Sequence, residues 1–150
     1  MAPAGLWVVR CALSLVLTEF VSRVDAAGYS DLRPVHGLVF QMLKGSGATS
    51  SELAEGLGVT KQAAGQIIDD LEKRGYVERP PHPAGGRRKL VVLTDKATEH
   101  LAVAGRILHD LEGQLAERLR AAGREMPRAE LAAMVRTLAG DTIPPLRPVW

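Results

Sequence analysis

Cysteine and aromatic residues are nearly absent from this 150-residue chain. Cys11 is the one cysteine, so no intrachain disulfide framework can staple the fold. That usage fits a reducing compartment and gives the expectation of a cytoplasmic protein. Aromatics make up 4% of the chain, so the core has to be built from Leu, Val, Ile and Ala. Net charge is small as well, at +2, and identifies no partner by itself. The four histidines, His36, His82, His100 and His109, have no His or Cys one helical turn away, so no metal site is expected. Neither a Ser/His/Asp set, nor a phosphate loop, nor a His-Glu-x-x-His motif occurs, so the expectation is of a protein that is not an enzyme and carries no cofactor.

Long uninterrupted apolar runs are also lacking. The first 28 residues superficially resemble a secretory signal, but the apolar stretch from Cys11 to Leu17 is short. Arg10 lies late, and Glu19 and Arg23 follow at once. No window is expected to span a bilayer. The spacing of Leu6, Val9, Leu13, Val16, Phe20 and Val24 instead predicts one helix over residues 6–26 with a broad apolar stripe. In that setting Cys11, among Val8, Ala12 and Leu15, is expected to be a buried and inert thiol rather than a reactive one.

Charge is present, but locally. Residues 79–93 hold Arg79, Arg87, Arg88 and Lys89 and no acid. Such a patch suits a polyanion, although a solvated Arg-rich loop has the same composition. It closes the stretch around which the chain is organised, residues 49–93. Thr49-Ser50-Ser51-Glu52 has the form of a capping box opening a short helix to Leu57. Gly58 suits a tight turn with positive φ. Thr60 caps a second helix whose Ala64, Ile67, Ile68 and Leu71 face inward. Thr60, Lys61, Gln62, Ala63 and Gln66 are left on its exposed N-terminal turn, a compact donor and acceptor set. Asp69, Asp70 and Glu72 read as a solvated helix face. Gly75 ends this helix. A strand over 76–79, a Pro/Gly-rich tip and a return strand over 89–93 then make a basic hairpin.

Helical patterns flank this unit. One covers 32–43, capped by Ser30 or Asp31. Thr94 caps a long one running to about residue 122, with Leu101, Ala104, Leu108, Leu111, Leu115 and Leu119 as its seam. The last follows Pro127, carries Leu131, Met134, Val135 and Leu138, and ends at Gly140. The expected fold is mainly α: about six helices, with a small β-hairpin wing, in a winged helix-turn-helix arrangement. One domain is expected over 1–150, with a DNA-binding lobe at 31–93 and pairing helices at 1–28 and 94–140.

The run LAEGLGVTKQAAGQIIDDLEKRGYVERPPHPAGGRRKLVVLT resembles the DNA-binding core of the MarR (multiple-antibiotic-resistance regulator) family over residues 31–94. The combination of LEKRGYVER, a proline-containing wing and RRKLVVLT carries the likeness. The resemblance implies a homodimeric transcriptional regulator, usually a repressor, whose first and last helices interlock. It implies double-stranded DNA as partner, read as a pseudo-palindrome with half-sites roughly 34–36 Å apart. Residues 60–74 would form the recognition helix and 80–89 the wing. Gln62 and Gln66 are then the expected base readers, and Thr60 and Lys61 phosphate contacts beside Ala63. Arg87, Arg88 and Lys89 would meet the adjacent minor groove or its phosphates, and Ser50 and Ser51 a phosphate through backbone amides. Two departures stand out: Gly85 stands where the family commonly has an Asp that helps to fix the wing arginine, and Gln66 where many relatives have Arg. Relatives also bind small amphipathic effectors where the two lobes meet, which makes Trp7, His36 and Phe40 candidate lining residues. The alternative reading is a winged-helix protein-interaction module, for which the acidic Asp69 and Asp70 speak.

Overall fold

The computed structural model describes residues 5–140. In chain order these form α1 (Gly5–Val24), α2 (Pro34–Leu43), α3 (Ser50–Leu57), α4 (Lys61–Lys73), β1 (Val77–Glu78), β2 (Val92–Leu93), α5 (Asp95–Ala121) and α6 (Arg128–Ala139). The mainly helical architecture with a two-stranded wing is the one expected from the sequence. Residues 141–150 lie outside the described residues.

The core sits in the middle of the chain. Phe40, Leu43, Leu53, Leu57, Ile68, Leu71, Tyr76, Val77 and Val91 are fully buried, joined by Val39 and Ala97. Each large aliphatic side chain sealed from water contributes about 1.5–3 kcal/mol. With so few aromatics, Phe40 and Tyr76 pack on each other at 5.6 Å between ring centres. The Tyr76 hydroxyl donates to the Asp31 carboxylate at 3.1 Å; burial first, and then this bond, push its pKa up to about 12.

A small antiparallel ladder ties this core to the wing. Val77 pairs with Leu93 and Glu78 with Val92. Two isolated bridges extend it: Ala48 with Val91, and Pro81 with Lys89. The strands are shorter than the sequence suggests because the prolines at 80, 81 and 83 donate no amide hydrogen bond.

Three expectations are corrected. The first helix does not run straight to residue 26: α1 passes into a π-helical turn over Asp25–Tyr29, bent where Gly28 takes φ 99°. The second helix starts at Pro34, with Arg33 at its cap in place of Ser30 or Asp31. The Arg33 amide donates to Nδ1 of His36 at 3.0 Å, an acceptor that the Ser/Asp capping rule does not anticipate. Finally, the Gly5–Tyr29 segment is, by length and composition, long and apolar enough to cross a membrane, with mean hydropathy 1.5 over an 18-residue window.

The apolar stripe of α1 is also not buried within one chain. Val24 is covered, but Leu6, Val9, Leu13 and Val16 are exposed. Cys11 is half-buried on the same helix. The C-terminal half of α1 lies against α5, where Arg23 donates to Gln114 at 2.9 Å and pairs with Glu19 at 2.8 Å. Leu108 and Leu115 of α5, and Leu131, Val135 and Leu138 of α6, are exposed too.

Candidate nucleic-acid interface

Local chemistry builds the helix-turn-helix. At the start of α3 the Thr49 hydroxyl accepts the Glu52 amide, and the Glu52 carboxylate accepts from the Thr49 amide at 2.7 Å and its hydroxyl at 2.8 Å. The Thr49 amide, then the hydroxyl, hold the Glu52 carboxyl below its ordinary range, with the nearby charge of Arg88 adding to the effect. Gly58 closes α3 in the left-handed conformation, φ 64°. The Thr60 hydroxyl then accepts the Ala63 amide at 3.1 Å and starts α4.

That geometry sets out the N-terminal turn of α4. Thr60, Lys61, Gln62 and Gln66 are exposed; Ala63 is half-buried and adds no bulk. Gly65 has open space where a Cβ would stand. The inward face (Ala64, Ile68 and Leu71) is fully buried, so the helix cannot rotate to hide the outward one.

The acidic side chains of α4 are engaged within the protein. Arg74 clamps Asp70 with Nε and Nη2, both at 3.0 Å, and donates Nη1 to the Asp31 carbonyl. Arg79, just before the wing, donates to Asp69 and sits 3.3 Å from Glu72. The acidic face is open to water, as expected from the sequence, and its carboxylates also pair with Arg74 and Arg79 across the lobe. Sequence reasoning missed Arg74 and Arg79, although each lies close enough in the chain to reach those acids. Lys96 of α5 caps the end of α4 by donating to the Arg74 carbonyl at 2.8 Å, and lies 4.1 Å from the centre of the Tyr76 ring.

The wing carries cations without such partners. Arg87, Arg88 and Lys89 are exposed. Among the described residues none of them, nor Lys61, pairs with a carboxylate. The Ala48–Val91 bridge, with hydrogen bonds of 3.0 and 2.8 Å, holds the wing's return strand beside the approach to α3, where half-buried Ser50 and exposed Ser51 begin the helix. The structure therefore gathers the start of α3, the first turn of α4 and the basic wing on one lobe.

The three candidate effector residues are not gathered. Trp7 is exposed near the start of α1, with Arg10 over its ring at 5.5 Å. His36 is buried at the cap of α2. Phe40 lies in the core between Tyr76 and His100. A cavity of about 310 Å³ does open between α1, α2 and α5. Its lining is mostly apolar, including Phe20, Val24 and Leu101, with Arg33, Lys44 and His100 among its polar members. Burial lowers the His100 pKa, and among the described residues its Nδ1 has no hydrogen-bond partner.

Two capped helices around a left-handed glycine, followed by a basic hairpin, define a winged helix-turn-helix protein. The profile of the MarR family matches residues 30–88, the stretch that runs from the approach to α2 through most of the wing. The transcriptional repressor CouR, in a structure bound to a 23-mer DNA duplex, is 27% identical, with TM-score 0.70 over 91% of this chain and 92% of that one. Rv1404 of Mycobacterium tuberculosis, 21% identical, superposes with TM-score 0.73 over 94% of this chain and 98% of that one, which shows the fold. Among curated proteins, the LexA repressor of Deinococcus radiodurans is 31% identical over 116 residues, covering 74% of this chain. This chain spans 51% of the length of that repressor.

Proposed function

We propose that this protein is a transcriptional regulator that binds double-stranded DNA as a homodimer on a pseudo-palindromic operator. One observation carries the reading. The acids of α4 are bound to Arg74 and Arg79, while among the described residues Arg87, Arg88, Lys89 and Lys61 pair with no carboxylate and flank the exposed Gln62 and Gln66. The result is a surface of free cations and amide side chains, suited to phosphates and base edges respectively. The solved structures of CouR and MepR with DNA add support. The interaction-module alternative rests on Asp69 and Asp70, whose charges Arg79 and Arg74 already offset.

In this reading Gln62 and Gln66 read bases, Thr60, Lys61, Ser50 and Ser51 hold phosphates, and the wing enters the adjacent minor groove. The exposed apolar residues of α1, α5 and α6 form the contact between two copies. The cavity beside Arg33 and Lys44 takes a small amphipathic effector with an anionic end, and repression is relieved when it fills. CouR has been solved with p-coumaroyl-CoA, an amphipathic molecule of that kind.

The test is binding to the DNA upstream of the protein's own gene, measured by fluorescence anisotropy at several salt concentrations. Affinity should fall steeply as salt rises, and the slope of the log–log plot should be about one shallower for each wing arginine removed. Affinity that ignores salt, or no preference over unrelated duplex, overturns the proposal.

A further inference from the structure

The wing tip departs from an ordinary hairpin, because three of its residues are prolines and two are glycines with positive φ, Gly85 at 78° and Gly86 at 83°. Such a sequence has few amides with which to hold itself. The ones it has converge on a single residue, His82. The His82 amide donates to the Arg88 carbonyl at 3.1 Å, and its own carbonyl accepts the Gly85 amide at 2.9 Å. Its imidazole Nδ1 accepts the Ala84 amide at 3.0 Å. His82 is half-buried, whereas every residue from Pro83 to Lys89 is exposed. Pro83 limits His82 to an extended backbone, which aims the ring back over its own turn. The hydrogen bond requires an unprotonated Nδ1, so the neutral ring carries its proton on Nε2.

We propose that His82 is the positioning residue of the wing: its side chain, standing in for a turn-forming Asn or Asp, fixes the tip so that Arg87 and Arg88 project together. The inference rests on the reading that the wing meets DNA. Its physical content is pre-organisation. Two glycines at the tip make the unbraced loop costly to order, and a brace present in the free protein removes part of that cost from binding. The Pro81–Lys89 bridge and the bond from the Leu90 amide to the Pro80 carbonyl, 3.0 Å, anchor the base of the same loop, so the brace acts on the tip alone.

The experiment compares the full-length protein with His82→Ala and His82→Asn. The Asn side chain can accept the amide two residues on, as the imidazole does here. In free protein, ¹⁵N–¹H heteronuclear NOEs at Ala84, Gly85 and Gly86 should fall in His82→Ala and recover in His82→Asn, with unchanged thermal melts. The imidazole nitrogen shifts of the parent should report Nδ1 as unprotonated. In DNA binding, His82→Ala should weaken affinity by about three- to tenfold, with the parent salt slope retained, since no phosphate contact is removed. His82→Asn should restore it. Unchanged NOEs in His82→Ala, or no rescue by Asn, overturn the inference. If the Arg87→Ala/Arg88→Ala variant weakens DNA binding and His82→Ala does not, His82 alone loses its role. If the parent protein binds no duplex, the DNA reading falls, and the wing role assigned to His82 falls with it.

Discussion

Arg79 stands at the foot of the wing with its guanidinium against two carboxylates of α4, Asp69 and Glu72, the latter 3.3 Å from its Nε. The arginine is about three-quarters covered, while both acids are largely open to water. Exposed pairs of this kind contribute roughly 0–1 kcal/mol to stability. Arg79→Ala should therefore melt only slightly earlier. Its DNA affinity should drop more, by about tenfold, because two uncompensated carboxylates then face the phosphates and the wing loses its tie to α4. Thermal melts and anisotropy titrations on the same preparation separate the two effects. A stability loss with full DNA affinity would mean that the pair serves the fold alone.

The elements of the lobe were legible in the sequence because their signals are local. The Thr49 and Thr60 caps, the left-handed Gly58 and the stop at Gly75 all stand where their spacing puts them. The longer-range contacts were not legible, since Arg74 reaching the Asp31 carbonyl and Arg79 pairing with Asp69 depend on how α4 lies against its neighbours. The α1 stripe was read as apolar, and the single chain leaves most of it exposed. Periodicity shows which face avoids water and says nothing about what covers it. Likewise, the Arg33–His36 cap escaped the Ser/Thr/Asp/Asn rule because the acceptor is an imidazole.

Acid should destabilise the fold through two buried histidines. Burial lowers the pKa of His36 below 6.5, aided by Arg74 and Arg33 and opposed by Asp70, whose carboxylate lies 3.8 Å away; burial also lowers His100, opposed by Asp31. Both rings are then neutral in the fold, while the unfolded chain takes up protons near 6.5. The unfolded state binds more protons in that window, so stability is complete above about pH 6.5 and is lost as pH falls toward the lowered folded values. A protonated His36 ring would also lose the bond from the Arg33 amide, because its Nδ1 could no longer accept. Urea midpoints at pH 8, 6.5 and 5.5 should fall along that series, and His100→Gln should flatten part of it. A midpoint constant down to pH 5.5 contradicts the assignment. The Glu52 contribution has the same sign but acts lower, near and below 4.5, because its carboxyl is depressed.

Gly47 is the position where an added methyl group should do most harm to the lobe. It holds φ 75°, and a Cβ there would collide with the Val91 carbonyl and stand 2.9 Å from the Val92 side chain. The carbonyl belongs to the Ala48–Val91 bridge that seats the wing. Gly47→Ala should cost about 2–3 kcal/mol, from backbone strain and a displaced strand. Gly45→Ala has a similar φ, 88°, but open space around it, and should cost about 1 kcal/mol. Chemical denaturation of both decides whether the collision adds to the strain; equal losses would show that it does not.

Pairing of two chains should be breakable from α6 alone. Leu131, Val135 and Leu138 recur at helical spacing and are 46%, 53% and 80% exposed, while Met134 between them is half-buried. On α1, Leu6, Leu13 and Leu15 are exposed by 60% or more. A soluble chain seldom leaves such a surface uncovered, and a second copy can cover both faces at once through two-fold symmetry. The parent protein should sediment at twice its 16.1 kDa at micromolar concentration. Leu131→Asp with Val135→Asp puts two carboxylates into that contact and should give a monomer with unchanged helical content, since neither side chain is buried within one chain. The monomer should protect one half-site instead of two in footprinting, and bind the full operator at least a hundredfold more weakly because the second lobe no longer binds as part of the same molecule. A parent that sediments as a monomer, or a double variant that keeps both half-sites, removes α6 from the dimer contact.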